Sequence, residues 1–417
     1  MIRRQLVGAF AMILVGLAGR AALDKILALR GGPDMVALWA QLQSVAELVS
    51  GVALVGLGQG LTVLVAQTTA TERRRELVRE AVRLGLLVAL AMAATLVLGA
   101  WVFPAGLAAR GLPAGHVGMA VVAGCCMVLP GMLVAYCLGC RHQGRAALLS
   151  LLGMLPLLVA ALLVPMPDPR MGMMAVQGGG ALLVGTAVLL SGRVGAGVAS
   201  QTGAGEDRRA LAAYLPVGLA IGILSPLSVL VVRDTLSSVL SWHEAGLLQA
   251  LWRTTEWVSG MAQGVINLFF LPRLGAAAVA GKAALRREIG RALVWVMIPA
   301  GVALVLLYGW QREALSTLYD SRFVVSDRAV ALFLVGDWLR MASWIFLGGL
   351  FATRGTRFIV VGEFLSLPLY ALLFYFGADG MNLERAGALH IITFAIYLAF
   401  NALALAWRWR RPSEAGC

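Results

Sequence analysis

The residues from Arg73 to Val102 contain the two features that decide the fold of this chain. Arg73-Arg-Arg-Glu-Leu-Val-Arg-Glu-Ala-Val-Arg83 is strongly basic, and the next part, Leu84-Gly-Leu-Leu-Val-Ala-Leu-Ala-Met-Ala-Ala-Thr-Leu-Val-Leu-Gly-Ala-Trp-Val102, has no charged residue. A transmembrane helix needs about 20 mostly apolar residues, and basic residues concentrate in cytoplasmic loops. This stretch therefore predicts a membrane-spanning helix whose basic end lies in the cytoplasm.

The same pattern recurs along the whole chain. Of its 417 residues, 60% are apolar and 13% are charged, whereas soluble domains are about 45–50% apolar and about 25% charged. We predict an all-α integral membrane protein with about twelve spans, numbered in chain order. Span one follows Arg4 and ends near Leu29, and spans two to twelve cover residues 35–66, 84–106, 117–140, 146–166, 171–191, 211–233, 244–272, 291–310, 328–352, 356–376 and 386–407.

The net charge of +13 first suggests a nucleic-acid binder, but the basic residues follow the membrane topology. Twenty-two lysines and arginines lie in the termini and loops on one side of the predicted membrane, and seven lie on the other side. The side rich in basic residues is cytoplasmic. We therefore predict that both termini are cytoplasmic and that the protein does not bind nucleic acid.

The chain lacks the common motifs of soluble enzymes and nucleotide-binding proteins. It has no Walker A loop, no G-x-G-x-x-G and no G-x-S-x-G, and its four histidines lack metal-ligand spacing. Cys137 and Cys140 have a C-x-x-C spacing, but they lie with Cys125 and Cys126 in one apolar stretch. Small packing residues explain these cysteines better than a redox or metal site. We expect no cofactor and no metal.

The chain shows traces of two related halves. The Gly- and Ser-rich stretch Gly192–Glu206 suits a connector, which predicts an N-terminal six-helix lobe at 1–191, a cytoplasmic connector at 192–210 and a C-terminal lobe at 211–417. A shift of 209 positions (256 − 47 = 209) places Glu47–Gly51 on Glu256–Gly260 and the basic run 73–83 over 282–291. Two parallel repeats, as in many transporters, would produce this pattern.

Several ionisable residues fall inside predicted spans, where a charge costs about 2.5–3.5 kcal/mol. They are Arg20, Asp24 and Lys25 in span one, Glu47 in span two, Arg253 and Glu256 in span eight, Asp337 and Arg340 in span ten, and Glu363 in span eleven. Three pairs have opposite charges and members that are three or four positions apart, which places both members on one helical face. These pairs are Arg20/Asp24, Arg253/Glu256 and Asp337/Arg340. They are either structural ion pairs or groups that contact an anionic substrate. Lysine is scarce in the whole chain, so the preference for arginine inside the spans is also explained by amino-acid composition alone.

The C-terminal half contains several distinctive motifs. They are Ser225–Asp234, Leu240–Arg253 with its AG-x-x-QA-x-W run, Leu268-Phe-Phe-Leu-Pro-Arg-Leu274, Val335-Gly-Asp-Trp-Leu-Arg340, and Glu363. These motifs resemble those of the Wzx-type polysaccharide flippases, which include the O-antigen and lipid III flippases. The N-terminal half agrees more loosely, through Ala40–Ser44 and Gly56–Gly60. The resemblance covers nearly the whole chain and is strongest to the branch linked to enterobacterial common antigen.

One departure concerns the end of span two. The family often has G-x-x-N-G followed by V-K-Y there. This chain has Gln59 in place of the asparagine and no lysine in Leu61–Gln67. The lysine that the family has at the end of span two therefore has no counterpart in this chain.

The resemblance implies the multidrug/oligosaccharidyl-lipid/polysaccharide (MOP) exporter fold, in which two six-helix lobes form a V around a central cavity. It implies a bacterial inner-membrane transporter, not an enzyme, that flips undecaprenyl-diphosphate-linked oligosaccharide to the periplasmic leaflet by alternating access. A polysaccharide polymerase and a chain-length regulator are candidate partners besides membrane lipid. Substrate contacts would come from Arg20, Lys25, Arg253 and Arg340, and charge pairing or coupling from Asp24, Glu47, Glu256, Asp337 and Glu363.

Two alternatives remain open at this point. A proton- or cation-coupled antiporter of the same fold would need acidic groups for cationic cargo, but most of the embedded acids are paired with arginine. A membrane glycosyltransferase or polymerase usually needs a large extramembrane segment, and the longest outer loop, about 311–327, is too short for one.

The topology can be tested with cysteine probes. Because 22 lysines and arginines lie on the predicted cytoplasmic side and seven lie on the other side, probes at Ala204, Lys282 and Arg411 should report the cytoplasm. Probes at Gly115, Ser316 and Asp379 should report the periplasm. A periplasmic signal from Ala204 or Lys282 would contradict the proposed pairing of the two halves.

Overall fold

The computed structural model describes residues 2–68, 70–102, 112–140, 142–163, 169–190, 204–353 and 355–410. All regular structure in these ranges is helical. Ten of the described helices are long and apolar enough to cross a membrane. One of them, Gly16–Gln67, is 52 residues long and contains spans one and two, while span eight is not among the ten. The predicted all-α membrane fold is confirmed.

The helices follow the order of the predicted spans. They cover Ile2–Gly51 and Gly58–Gln67 (spans one and two), Thr71–Val102 (three), Ala114–Gly139 (four), Gln143–Leu163 (five), Pro169–Leu190 (six), Leu215–Val239 (seven), Trp242–Val265 and Leu271–Ala280 (eight), Lys282–Ala292 and Ile298–Gly309 (nine), Asp327–Ala352 (ten), Thr356–Phe364 and Leu367–Phe376 (eleven), and Leu383–Arg410 (twelve). Two short helices, Ala204–Ala212 and Gln311–Leu318, lie outside the spans.

Spans one and two meet at a kink and not at a separate loop. Gly32 has φ 67° and ψ −161°, and Pro33 follows it. A positive φ is easily adopted by glycine, and proline lacks the N–H that would continue the helical hydrogen bonds. These two residues separate the two spans that the sequence predicted.

Three spans contain a turn of π-helix, at Val52–Leu57, Ile266–Phe270 and Leu293–Met297. In span two this turn is followed by the ten-residue helix Gly58–Gln67, and in span eight by the ten-residue helix Leu271–Ala280. The next helix along the chain, Thr71–Val102 or Lys282–Ala292 respectively, begins with basic residues. The two stretches related by the 209-residue shift therefore share one order of elements. π-Turns are rare and often occur at functional sites.

Contacts divide the chain into two compact units. The first comprises residues 1–31 and 35–234, and the second comprises 32–34 and 235–417. This boundary lies inside span seven. Residues 192–203 of the predicted connector lie outside the described residues, and 204–210 belong to a helix. The lobes at 1–191 and 211–417 stay a prediction.

Each unit has its own helical core. In the first unit, span four packs against spans two, three and six. In the second unit, span ten packs along span twelve and against span eight. The predicted charged residues of the C-terminal half lie on spans eight, ten and eleven, so the packing of the second unit decides how they meet.

Glycines of spans two and seven meet at close range inside the first unit. A Cβ atom on Gly222 would lie 2.5 Å from the carbonyl carbon of Gly51, and one on Gly56 would lie 2.9 Å from Cα of Gly218. Small residues let helix backbones approach in membranes, where van der Waals packing drives association. The attachment of span seven to the first unit therefore depends on these glycines.

The replacement Gly222→Ala should destabilise the protein by about 1–3 kcal/mol, because the added methyl group meets backbone atoms that cannot move aside. The matched control is Gly99→Ala, since no heavy atom lies within 4 Å of a Cβ placed there. The control should be neutral or more stable by about 0.5–1 kcal/mol. Unfolding of purified protein in detergent measures both, and equal stability of the two variants would contradict the close packing.

Candidate functional site

The embedded charges of the second unit form one buried cluster around Asp337. The three-residue spacing on span ten brings Nη2 of Arg340 to 3.0 Å from Oδ1 of Asp337. The side chain of Asp337 is 1% exposed, whereas that of Arg340 is 18% exposed. The carboxylate is therefore enclosed, and the guanidinium group remains partly accessible.

A histidine of span twelve completes this cluster. Nε2 of His390 lies 3.1 Å from the same Oδ1 atom of Asp337, and the imidazole is 1% exposed. The rings of Phe333, Tyr370 and Phe394 surround it, with centroid distances of 5.1, 5.4 and 4.7 Å. A single carboxylate oxygen therefore lies within 3.1 Å of two cationic or ionisable groups in an otherwise aromatic environment.

The close approach of His390 to span ten requires glycine at position 336. A Cβ atom on Gly336 would collide with the imidazole ring of His390. Gly336 precedes Asp337 in the sequence, so one helix turn supplies both the space for the histidine and its hydrogen-bond acceptor. The G-D pair of the sequence motif thus has a structural reason.

Three atoms of the cluster have unused hydrogen-bonding capacity. Within the described residues, Oδ2 of Asp337, Nε of Arg340 and Nδ1 of His390 are buried and make no hydrogen bond. Buried polar atoms are usually paired, and those that are not often mark a functional site. The cluster therefore has capacity to bind a proton, water or a polar ligand.

Arg340 is also held by groups outside span ten. Its Nη2 donates to the hydroxyl of Ser259 on span eight at 3.2 Å. Its guanidinium carbon lies 5.3 Å from the ring centroid of Trp344 and 5.5 Å from that of Phe394. Such aromatic faces stabilise a cation without neutralising it. Arg340 is therefore oriented by three helices.

The second predicted pair is also formed. Nη1 of Arg253 lies 2.8 Å from Oε2 of Glu256 on span eight, and the two side chains are 22% and 39% exposed. Both are more accessible than Asp337. This pair lies on one helical face, as the three-residue spacing predicts.

Glu363 of span eleven has a different kind of partner. Its Oε1 accepts from the hydroxyl of Tyr397 on span twelve at 3.2 Å. Among the described residues, no ion pair to Glu363 is recorded. Tyr397 lies seven positions after His390, so both face the same side of span twelve.

The predicted site residues of the first unit are placed less uniformly. Asp24 is 6% exposed, Lys25 is half-buried, and Arg20 and Glu47 are exposed. Nearby polar groups include Gln43, whose Nε2 lies 2.7 Å from Oε1 of Gln177. Another is Arg233, which is 1% exposed and donates to the hydroxyl of Ser44. The structure thus places glutamines, a serine and a buried arginine beside span two.

Sequence reasoning missed three residues that contact the predicted ones, namely His390, Tyr397 and Ser259. The spacing of the four histidines along the chain indicates no partner for any of them. Among the described residues, no group of three or more His, Cys, Asp or Glu side chains is placed to hold a metal ion. The informative signal was the position of an ionisable residue inside the apolar run Leu383–Arg410, because such residues face the interior of a helix bundle.

The sequence is similar to two curated proteins along nearly its full length. The lipid III flippases of Escherichia coli (strain K12) and Shigella flexneri are each 22% identical to it over 409 residues, covering 96% of this chain and 97% of theirs. No protein-family model matches the chain.

Solved transporter structures share its fold. A multidrug resistance MATE family transporter of the MOP superfamily, in an inward-facing conformation, aligns with a TM-score of 0.74 at 11% identity over 96% of this chain and 98% of that one. A MOP superfamily transporter from Pyrococcus furiosus, described as having a binding pocket of reversed polarity, aligns with a TM-score of 0.69 at 11% identity over 99% and 97%.

These likenesses agree with the motifs quoted from the sequence. The structures establish the fold, and the curated relatives are flippases and not enzymes. The chain is therefore a multi-pass membrane protein with the fold of the MOP-superfamily transporters, and the predicted resemblance to the flippases of that superfamily is confirmed.

Proposed function

We propose that this protein flips an undecaprenyl-diphosphate-linked oligosaccharide from the cytoplasmic to the periplasmic leaflet of a bacterial inner membrane, with both of its termini in the cytoplasm. The observation that carries the proposal is the similarity to lipid III flippases over 96% of the chain. A polysaccharide polymerase and a chain-length regulator would be partners that act on the translocated product.

The accessible arginines of the second unit suit an anionic headgroup. A guanidinium group binds phosphate oxygens through two parallel hydrogen bonds. Arg253 and Arg340 keep about a fifth of their side chains exposed while each is paired with a carboxylate. In the empty transporter, Glu256 and Asp337 would hold these arginines, and cargo phosphate would replace part of that pairing.

A drug or cation antiporter of the same fold is less well supported. Cationic cargo requires carboxylates that are not already neutralised, but Glu256 and Asp337 both pair with arginine. Glu363 is the exception in the second unit, since its described partner is the hydroxyl of Tyr397. One such carboxylate suits proton coupling better than binding of a large cation.

The first test concerns Arg340. Purified protein in vesicles should flip a fluorescent undecaprenyl-diphosphate-linked oligosaccharide, and Arg340→Ala should reduce the rate at least tenfold. Loss of a charge-assisted hydrogen bond costs about 1.5–3 kcal/mol, and a factor of ten corresponds to about 1.4 kcal/mol. The matched control is Arg287→Ala, which replaces an exposed arginine of the basic helix Lys282–Ala292 and should flip normally.

Arg340→Ala also leaves Asp337 without its arginine, and breaking a buried pair costs about 3–5 kcal/mol of stability. The double replacement Asp337→Asn with Arg340→Gln separates the two effects, because it removes both charges and preserves the approximate shape. Full flipping by the double variant would make the pair structural and remove Arg340 from substrate binding. Efflux of a cationic dye, with no flipping of the lipid, would favour the antiporter.

The second test concerns energy coupling, for which we propose Glu363, with Glu47 as the next candidate. A carboxylate in a low-dielectric site can exchange a proton during a transport cycle, and Glu363 has no basic residue within four positions. Glu363→Gln should abolish the dependence of flipping on a pH gradient while lipid binding persists. The exposed Glu313→Gln serves as the control. Unchanged gradient dependence in Glu363→Gln would remove this residue from coupling.

A further inference from the structure

His390 is a buried titratable group to which the proposed function assigns no task. It lies in the apolar interior of the second unit, 3.1 Å from Oδ1 of Asp337. None of the sequence motifs that resemble the flippases includes it. Histidine is the side chain whose charge ordinarily changes near neutral pH, so its position beside the Asp337–Arg340 pair has an electrostatic consequence.

The hydrogen bonds identify which nitrogen of His390 can accept a proton. Oδ1 of Asp337 lies 3.0 Å from Nη2 of Arg340, and an ion pair at this distance requires an ionised carboxylate. Nε2 of His390 must therefore donate its hydrogen to Oδ1. In the neutral ring this leaves Nδ1 as the basic nitrogen, and Nδ1 is buried with no hydrogen bond among the described residues.

The charge of the cluster then depends on His390 alone. With a neutral ring, Asp337 and Arg340 cancel and the cluster has no net charge. With a proton on Nδ1, the imidazolium and the guanidinium share one carboxylate, and the net charge becomes +1. The other groups around the ring are Tyr370 from span eleven, Phe333 from span ten and Phe394 on span twelve itself, and none of them carries a compensating charge at neutral pH.

The additional charge would change the electrostatic environment of Arg340. The guanidinium is the part of the cluster that is partly exposed, at 18% of the side chain. A protonated His390 competes with it for Oδ1 of Asp337. Asp337 then neutralises less of the charge of Arg340, so an anion binds to Arg340 more favourably. Coupling between two binding sites is reciprocal, so anion binding at Arg340 also favours the protonation of His390.

We propose that His390 is a proton-binding switch for Arg340, so that an anionic headgroup of the phosphate or diphosphate class binds at Arg340 more tightly when His390 carries a proton. His390 is a positioning residue in this scheme, because it acts through Asp337. The inference rests on the proposed function only in requiring that the cargo be anionic. It predicts that headgroup binding takes up a proton from solution.

The experiment measures binding of farnesyl diphosphate to the full-length purified protein in detergent between pH 5 and pH 8. Relative to His390→Gln, the wild-type protein should gain about tenfold in affinity on going from pH 8 to pH 5, within the usual range of coupling between two sites. Glutamine can donate the hydrogen bond to Asp337 but cannot be protonated. Because the probe itself titrates equally for both proteins, the ratio of their affinities isolates His390.

The matched control is His243→Gln, which replaces an exposed histidine of span eight and should keep the full pH dependence. Calorimetry in buffers of different ionisation enthalpy gives a second measurement that does not depend on comparing affinities. Near pH 6, wild-type protein should take up protons when the probe binds, and His390→Gln should take up fewer.

The outcomes separate this inference from the proposed function. An identical pH dependence and proton uptake in wild type and His390→Gln would overturn the switch, while flipping of the lipid-linked oligosaccharide would still support the transporter. If wild-type protein bound the diphosphate at no pH, both proposals would fail. Loss of pH dependence in His243→Gln as well would also overturn the assignment to His390.

Discussion

The shared carboxylate oxygen of Asp337 is the interaction on which the interior of the second unit depends. Spans eight, ten and twelve each direct a polar side chain into a region of aromatic and aliphatic groups, and a lone charge there would be very unfavourable. Oδ1 of Asp337 forms an ion pair with Arg340 and a hydrogen bond with His390, and Arg340 donates to Ser259. These contacts connect three helices through one network of ion pairs and hydrogen bonds.

The energetics of such a network suit a group that must change partners. Replacing a buried ion pair with neutral groups often costs little, whereas removing one partner costs about 3–5 kcal/mol. Asp337 therefore stabilises the buried charge of Arg340, and a phosphate would stabilise it as well. Without either partner this charge would be unfavourable. A transporter needs this property, because its site must be satisfied both empty and loaded. The partial exposure of Arg340, in contrast to the enclosed Asp337, places the exchange on the arginine.

Glycine has two structural roles in this chain that hydropathy does not reveal. At Gly218 and Gly222 the missing side chain lets span seven touch the backbone of span two. At Gly336 it makes room for the ring of His390. In membranes the close approach of helices is a main source of packing energy, since lipid tails compete equally for apolar side chains.

The sequence by itself determined the class of fold, the order of the spans and the pairs at three-residue spacing, because these follow from hydropathy and from the geometry of a single helix. The motifs around Arg253 and Asp337 also indicated the flippase resemblance. The partnership of His390 with Asp337, 53 positions apart, and that of Tyr397 with Glu363, 34 positions apart, could not be obtained in this way. Helix periodicity assigns a face to each residue, but only the packing of spans ten, eleven and twelve decides which faces meet.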